Sequence, residues 1–129
     1  MKNNLRKNIY LFTIGLLLIC TLITVVEIQF QVVQGVYDNY VLDNRDHYLA
    51  CTDLPAHTKV ERIVEQHQDV IQQIRQVAPG FVGVEMDTST CNGKADLLIW
   101  YGSHQQRIAI EKIIGGDTFF GIPYRLQNR

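Results

Sequence analysis

Charge is absent from residues 9–26, IYLFTIGLLLICTLITVV, an apolar run set between a basic start and a chain that afterwards mixes apolar and polar positions. At ~1.5 Å rise per residue such a run spans about 27 Å as a helix, close to the ~30 Å hydrocarbon core of a bilayer. It reads as a transmembrane helix. Beyond it Ile28, Val32 and Val36 recur at i, i+4 among glutamines, so the helix is expected to extend as a stalk to about residue 37, weakened at Gly35. Residues 38–46, DNYVLDNRD, are rich in Asn and Asp and read as a linker.

From residue 47 the pattern becomes that of a small folded domain. Residues 47–51, HYLAC, are read as a first strand, closed by Leu54-Pro55. From Ala56, Val60, Ile63, Val64, His67, Val70, Ile71, Ile74 and Val77 make one stripe at spacings of three and four, which predicts a single helix that packs on one side and ends at Pro79-Gly80. Residues 81–87 alternate Val82, Val84 and Met86 with polar or glycine positions, the period of a half-buried strand. A turn over residues 88–94 with Asn92-Gly93 joins it to a strand at 95–101, predicting a hairpin. Ser103 is placed to cap a helix through Ile114 that buries Ala109, Ile110, Ile113 and Ile114, with Gly115-Gly116 as its stop. Residues 118–126 close the chain as an edge strand, because Pro123 has no N–H to give a neighbour.

The order strand, helix, strand, strand, helix, strand matches a ferredoxin-like (βαββαβ) arrangement, an α+β fold with an antiparallel sheet and two helices on one face. The expected organisation is a basic tail at residues 1–8, a transmembrane helix at 9–26, a linker at 38–46 and the domain at 47–129.

Charge then sets orientation and excludes one class of partner. Lys2, Arg6 and Lys7 precede the apolar run and Glu27 follows it, which by the positive-inside tendency puts the amino terminus in the cytoplasm and the domain outside, periplasmic or extracellular. A retained anchor is expected over a cleaved signal peptide: the run is long, and small residues suited to cleavage are lacking just after it. Residues 38–129 hold nine Lys/Arg against twelve Asp/Glu, a net charge of −3 without a basic cluster, which points away from nucleic acid.

In such a compartment Cys51 and Cys91 are expected as a disulfide, since the ferredoxin-like order brings the end of the first strand and the hairpin turn to one end of the sheet. Cys20, within the run, reads as an apolar side chain of the helix.

Candidate chemistry is sparse. The same topology puts His57 near the disulfide, His47 and His104 at the opposite end, and His67 on the packing stripe as a core histidine with one hydrogen bond. A metal site would have to start from His47 and His104 with carboxylate help, and the spacing of a zinc signature is missing. Ser103 and His104 are neighbours at a helix start and do not face each other, and neither GxSxG nor a phosphate-cradling glycine loop is present. Glu85, Asp87 and Asp96 meet across the predicted hairpin, as an acid/base or cation site or as the wet face of a sheet. Trp100 and Tyr101 face opposite ways on one strand, and with Phe119, Phe120 and Tyr124 they are the candidate residues for partner contact.

These readings converge on a membrane-anchored, non-catalytic binding or assembly module, without a cofactor, that contacts a protein partner or itself. The alternative is a small-ligand or metal-binding sensor or enzyme built on His47, His104 and nearby carboxylates.

Overall fold

The chain begins with one long helix, α1 (Lys2–Tyr40), and the segment Phe12–Tyr40 within it is long and apolar enough to cross a membrane. The computed structural model describes Lys2–Arg129, with side chains from Phe12 onward; the side chains of Lys2, Arg6 and Lys7 lie outside the described ones. Inside the apolar run the hydroxyls of Thr21 and Thr24 donate to the carbonyls of Leu18 and Thr21, both at 2.9 Å, so these polar groups need no water. Gly35 does not end the helix. Its last turn replaces the first part of the expected linker and belongs to a compact unit, Val36–Arg129, distinct from the chain up to Gly35.

Within that unit the elements are α2 (His57–Gln66), α3 (Gln68–Gln76), β1 (Gly83–Asp87), β2 (Asp96–Tyr101), α4 (His104–Ile114), β3 (Thr118–Phe119) and β4 (Ile122–Asn128). The single predicted helix is thus two, split at His67, whose backbone (φ −121°, ψ 36°) leaves the helical region. The split lays the imidazole flat on Phe120, with ring centroids 3.5 Å apart and planes 4° from parallel, so His67 is a half-buried stacking residue. Helix α4 is bounded as expected: Ser103 Oγ accepts from the Gln106 N–H, and Gly115 takes the left-handed conformation (φ 73°) that closes a helix.

The sheet is mixed, in the order β1-β2-β4-β3. β1 and β2 form the predicted antiparallel hairpin, whereas β4 lies parallel to β2 after the crossover through α4. This corrects the ferredoxin-like topology, in which the first strand would occupy the place that β4 takes beside β2. Residues 47–51 form no ladder. Tyr48 sits at φ 51°, a left-handed position that breaks an extended run. The Tyr48 N–H is taken by Asp46 Oδ1 and the Leu49 N–H by His47 Nδ1, so side chains satisfy donors that a strand would give to a neighbour. What remains of the expected pairing is a one-residue bridge, Arg45 to Leu126, on the outer edge of β4.

The predicted last strand is also two. Phe120 and Gly121, both at positive φ (50° and 83°), make a two-residue turn between β3 and β4. Pro123 therefore lies inside the sheet, in a strand flanked on both sides. It is tolerated because it precedes the first β2 pairing, Leu97 with Tyr124, and falls at the Thr118 pair, the one beyond the turn-flanking pair, where no N–H is required.

Alternate strand residues Val84, Leu97, Ile99, Tyr101, Ile122, Tyr124 and Leu126 point to one face, where Val60, Ile71, Ile74 and Ile110 of the three helices cover them. Residues 41–56 run along the rest of the sheet as a strap. It ends at the Cys51–Cys91 disulfide (Cα–Cα 5.6 Å) and at hydrogen bonds from the His57 and Ala95 amides to Gly93 and Pro55.

On the other face Trp100 lies across Gly83, so closely that a Cβ there would fall 1.9 Å from the indole. Gly83→Ala is expected to displace the indole at an overpacking cost of ~1–3 kcal/mol. As this is the sole tryptophan, a red-shifted emission with a lower Tm is the expected readout, and unchanged emission would refute the packing. Closing a loop of this size contributes about 4 kcal/mol in the chain-entropy model. Cys91→Ser, or reduction, is therefore expected to cost at least ~2 kcal/mol and lower the Tm by at least about 8 °C; an unshifted melt would contradict this.

Candidate functional site

Polar side chains gather in two clusters, one on the open face of the sheet and one at the end of β2. The first begins with a conflict: Asp87 and Asp96 lie directly opposite in the β1–β2 register, where two carboxylates repel. Arg125, one strand over on β4, resolves it. Its Nε donates to Asp96 Oδ2 at 2.6 Å, and its Nη2 reaches Asp96 Oδ1 at 3.1 Å and also Asp87. The Asp96 hydrogen bonds come first among the influences that raise the Arg125 pKa well above its ordinary value. Glu85, expected to join the carboxylates, stays exposed opposite Leu98.

Asp96 is only 3% exposed, because the strap lays His47 over it, with Nε2 2.7 Å from Asp96 Oδ2. The other ring nitrogen, Nδ1, accepts from the Leu49 N–H at 3.0 Å. That bond fixes the tautomer: the proton is on Nε2 and is donated to Asp96. A His–Asp pair of this kind resembles half of a catalytic triad, yet both nitrogens are engaged, and among the described residues neither is bonded to a hydroxyl or thiol.

The second cluster centres on Arg107, which is buried on the packed side of α4. Its Nε donates to Glu111 Oε1 at 3.2 Å and its Nη1 to Asp43 Oδ1 at 2.9 Å, while Nη2 bonds the side chain and Nη1 the carbonyl of Asn39 in the last turn of α1. Burial works hardest against this charge, but the bonds to Asp43 and Glu111 outweigh it and the pKa is raised. A cation on a terminal carbonyl also suits the negative end of the helix dipole. The Tyr101 hydroxyl donates to the Asp43 carbonyl, and burial, with the Asp43 charge next, pushes its pKa up to about 12. Arg45 links the strap to the body by donating to the Tyr124 hydroxyl at 2.8 Å and to Asp117 at 2.7 Å.

Between the clusters a polar groove of about 150 Å3 is lined by Asp38, Arg45, Asp46, Leu98, Arg125 and Gln127, among others. It is the recess from which both the strap and the sheet are reachable.

The two histidines of the metal alternative are not brought together. His47 binds Asp96 at the start of β2, whereas His104 binds Asp43 beyond its end, some ~16 Å away along the strand. His47 therefore lies at the disulfide end, opposite to the expected placement. Among the described residues no three His, Cys, Asp or Glu side chains converge as a cation site.

Of the five aromatics assigned to partner contact, Tyr101, Phe119 and Tyr124 are core residues. Trp100 is half-buried beneath the Arg129 guanidinium, 5.1 Å from its ring, and Phe120 is 52% exposed. They form no continuous patch. On β4, alternation with Ile122 and Leu126 puts Tyr124 on the packed face. The residues that sequence reasoning passed over are arginines: Arg107 stands on the apolar stripe of α4 three residues before Ile110, and a charge on such a stripe was the available signal.

Asp87 gives the site a pH signature. Its carboxyl is held well below the usual range, first by the Ser89 hydroxyl (2.6 Å), against the opposing effect of burial, then by the Ser89 N–H, Thr90 and Arg125. A depressed folded-state pKa means its stabilisation is complete above the ordinary Asp value, about pH 4, and is lost as pH falls further. Asp87→Asn is expected to melt lower than the parent at neutral pH and to show a shallower acid decline; identical acid limbs in melts across pH would refute it. Comparisons with protein-family models, with curated proteins and with solved structures find no match to this chain.

Proposed function

We propose that this chain is a single-pass protein of the cell membrane, amino terminus in the cytoplasm, whose disulfide-closed domain works outside as a non-catalytic binding or assembly module for a protein partner or for itself. The observation that carries the reading is the joining, in one chain, of a helix long and apolar enough to cross a membrane and a domain closed by an oxidised cysteine pair. Thiols of a small domain stay paired in an oxidising space, and the basic residues before the apolar run favour the matching orientation.

The domain's own surface supports a contact role. In the two polar clusters the ionisable groups pair with one another: Asp96 with Arg125 and His47, and Asp43, through Oδ1, with Arg107 and His104. Large apolar side chains remain outside at Phe81 (73% exposed), Phe120 and Ile108, and the net charge of residues 38–129 is negative. Exposed apolar side chains of this size are available to a protein partner.

The reading is tested on the full-length chain in its native membranes. Expected are retention in the pellet through an alkaline wash, protease access to the domain from the non-cytoplasmic side only, and a mobility change on reduction that is lost in Cys91→Ser. A soluble chain, or a domain protected from external protease with free thiols, overturns it.

A further inference from the structure

The last turn of α1 shows which side of that helix the domain holds. Asp38 accepts from the Tyr48 hydroxyl, and Asn39 is gripped by Arg107. At ~100° per residue, Tyr37 and Tyr40 lie on the opposite side. They are 53% and 80% exposed. Toward the amino terminus the sequence spacing of three and four continues through Val33, Phe30 and Val26, all exposed. The same spacing reaches back to Phe12 without meeting a polar residue or a glycine. Every other such register along Phe12–Tyr40 meets Thr, Gly, Gln or Glu. A large apolar residue every ~3.5 positions over four heptads is the seam of a left-handed coiled coil.

We propose that this seam pairs with the seam of a second copy of the chain, parallel and in register, making the membrane-bound form a helix-paired dimer. The inference rests on the anchoring reading and names the partner within it. A bilayer sets all copies in one direction at one depth, so identical layers meet without a register search. The seam carries no charge, so nothing opposes self-contact, and a two-fold pair repeats the same layer from end to end. The uncharged run ends at Val26, with Glu27 next. Phe30, Val33, Tyr37 and Tyr40 lie beyond the uncharged run, where water penalises their exposure and a second helix removes it.

The test uses the full-length chain in phosphatidylcholine vesicles. The exposed free thiol is removed by Cys20→Ser, and single cysteines are placed on the seam (Val33→Cys, Tyr37→Cys) or off it (Gln31→Cys, Gln34→Cys). After mild oxidation the seam variants are expected to give disulfide-linked dimer several-fold above the off-seam variants. Phe30→Glu, combined with Val33→Cys, is expected to abolish that dimer while the domain melt stays unchanged. A chain that floats with the vesicles yet gives no dimer at 33 and 37, or gives more at 31 and 34, overturns the pairing alone. A chain that does not float overturns the anchoring reading, and with it the alignment that the pairing needs.

Discussion

A buried carboxylate with two cationic or hydrogen-bonding partners from distant parts of the chain holds the domain's outer face together. Asp96 receives Arg125 from β4 and His47 from the strap, and it is almost fully covered by them. Leaving such a charge without partners in the interior costs several kcal/mol, so the sheet and the strap assemble together or leave Asp96 open to water. The same pairing lets Asp87 and Asp96 stand opposite each other, which the β1–β2 register would otherwise disfavour.

The strap is the unusual part of this architecture. Residues 41–56 cross the sheet without forming a strand of it, held by the Arg45 bridge to Leu126, the bond of His47 to Asp96, the Cys51–Cys91 disulfide and the Ala56 bridge to Lys94. Each of these ties is long-range in sequence, and the disulfide, which persists on unfolding, also restricts the unfolded chain. At the strap's upstream end Arg107 takes the terminal carbonyl region of α1 together with Asp43, so one guanidinium closes a helix and starts the strap. A core built from one sheet face and three short helices leaves much of the specification to these polar contacts.

Function follows from what this scaffold leaves free. The histidine that looks most like a general base has both ring nitrogens in use, and Arg45, Arg107 and Arg125 are paired with carboxylates. Large apolar side chains stay exposed along α1 and at scattered points on the domain. That exposed apolar surface is what the proposed contact role draws on.

Much of this was written in local patterns. The apolar run, the β1–β2 hairpin, α4 with Ser103 and Gly115 at its ends, and the Cys51–Cys91 pair all depend on neighbours within a few residues or on compartment chemistry, and they were legible in the sequence. Which strand lies beside β2 was not. Residues 47–51 and β4 are both extended by composition; the choice fell to β4 because Asp46 and His47 bond to nearby amides and Tyr48 adopts positive φ, leaving the earlier segment without a ladder. The salt-bridge partners were equally hidden, since Asp96 and Arg125 stand on different strands and Arg107 and Asn39 on different helices. Periodicity reports which side of an element faces the interior, but only the assembled sheet decides which charges meet there.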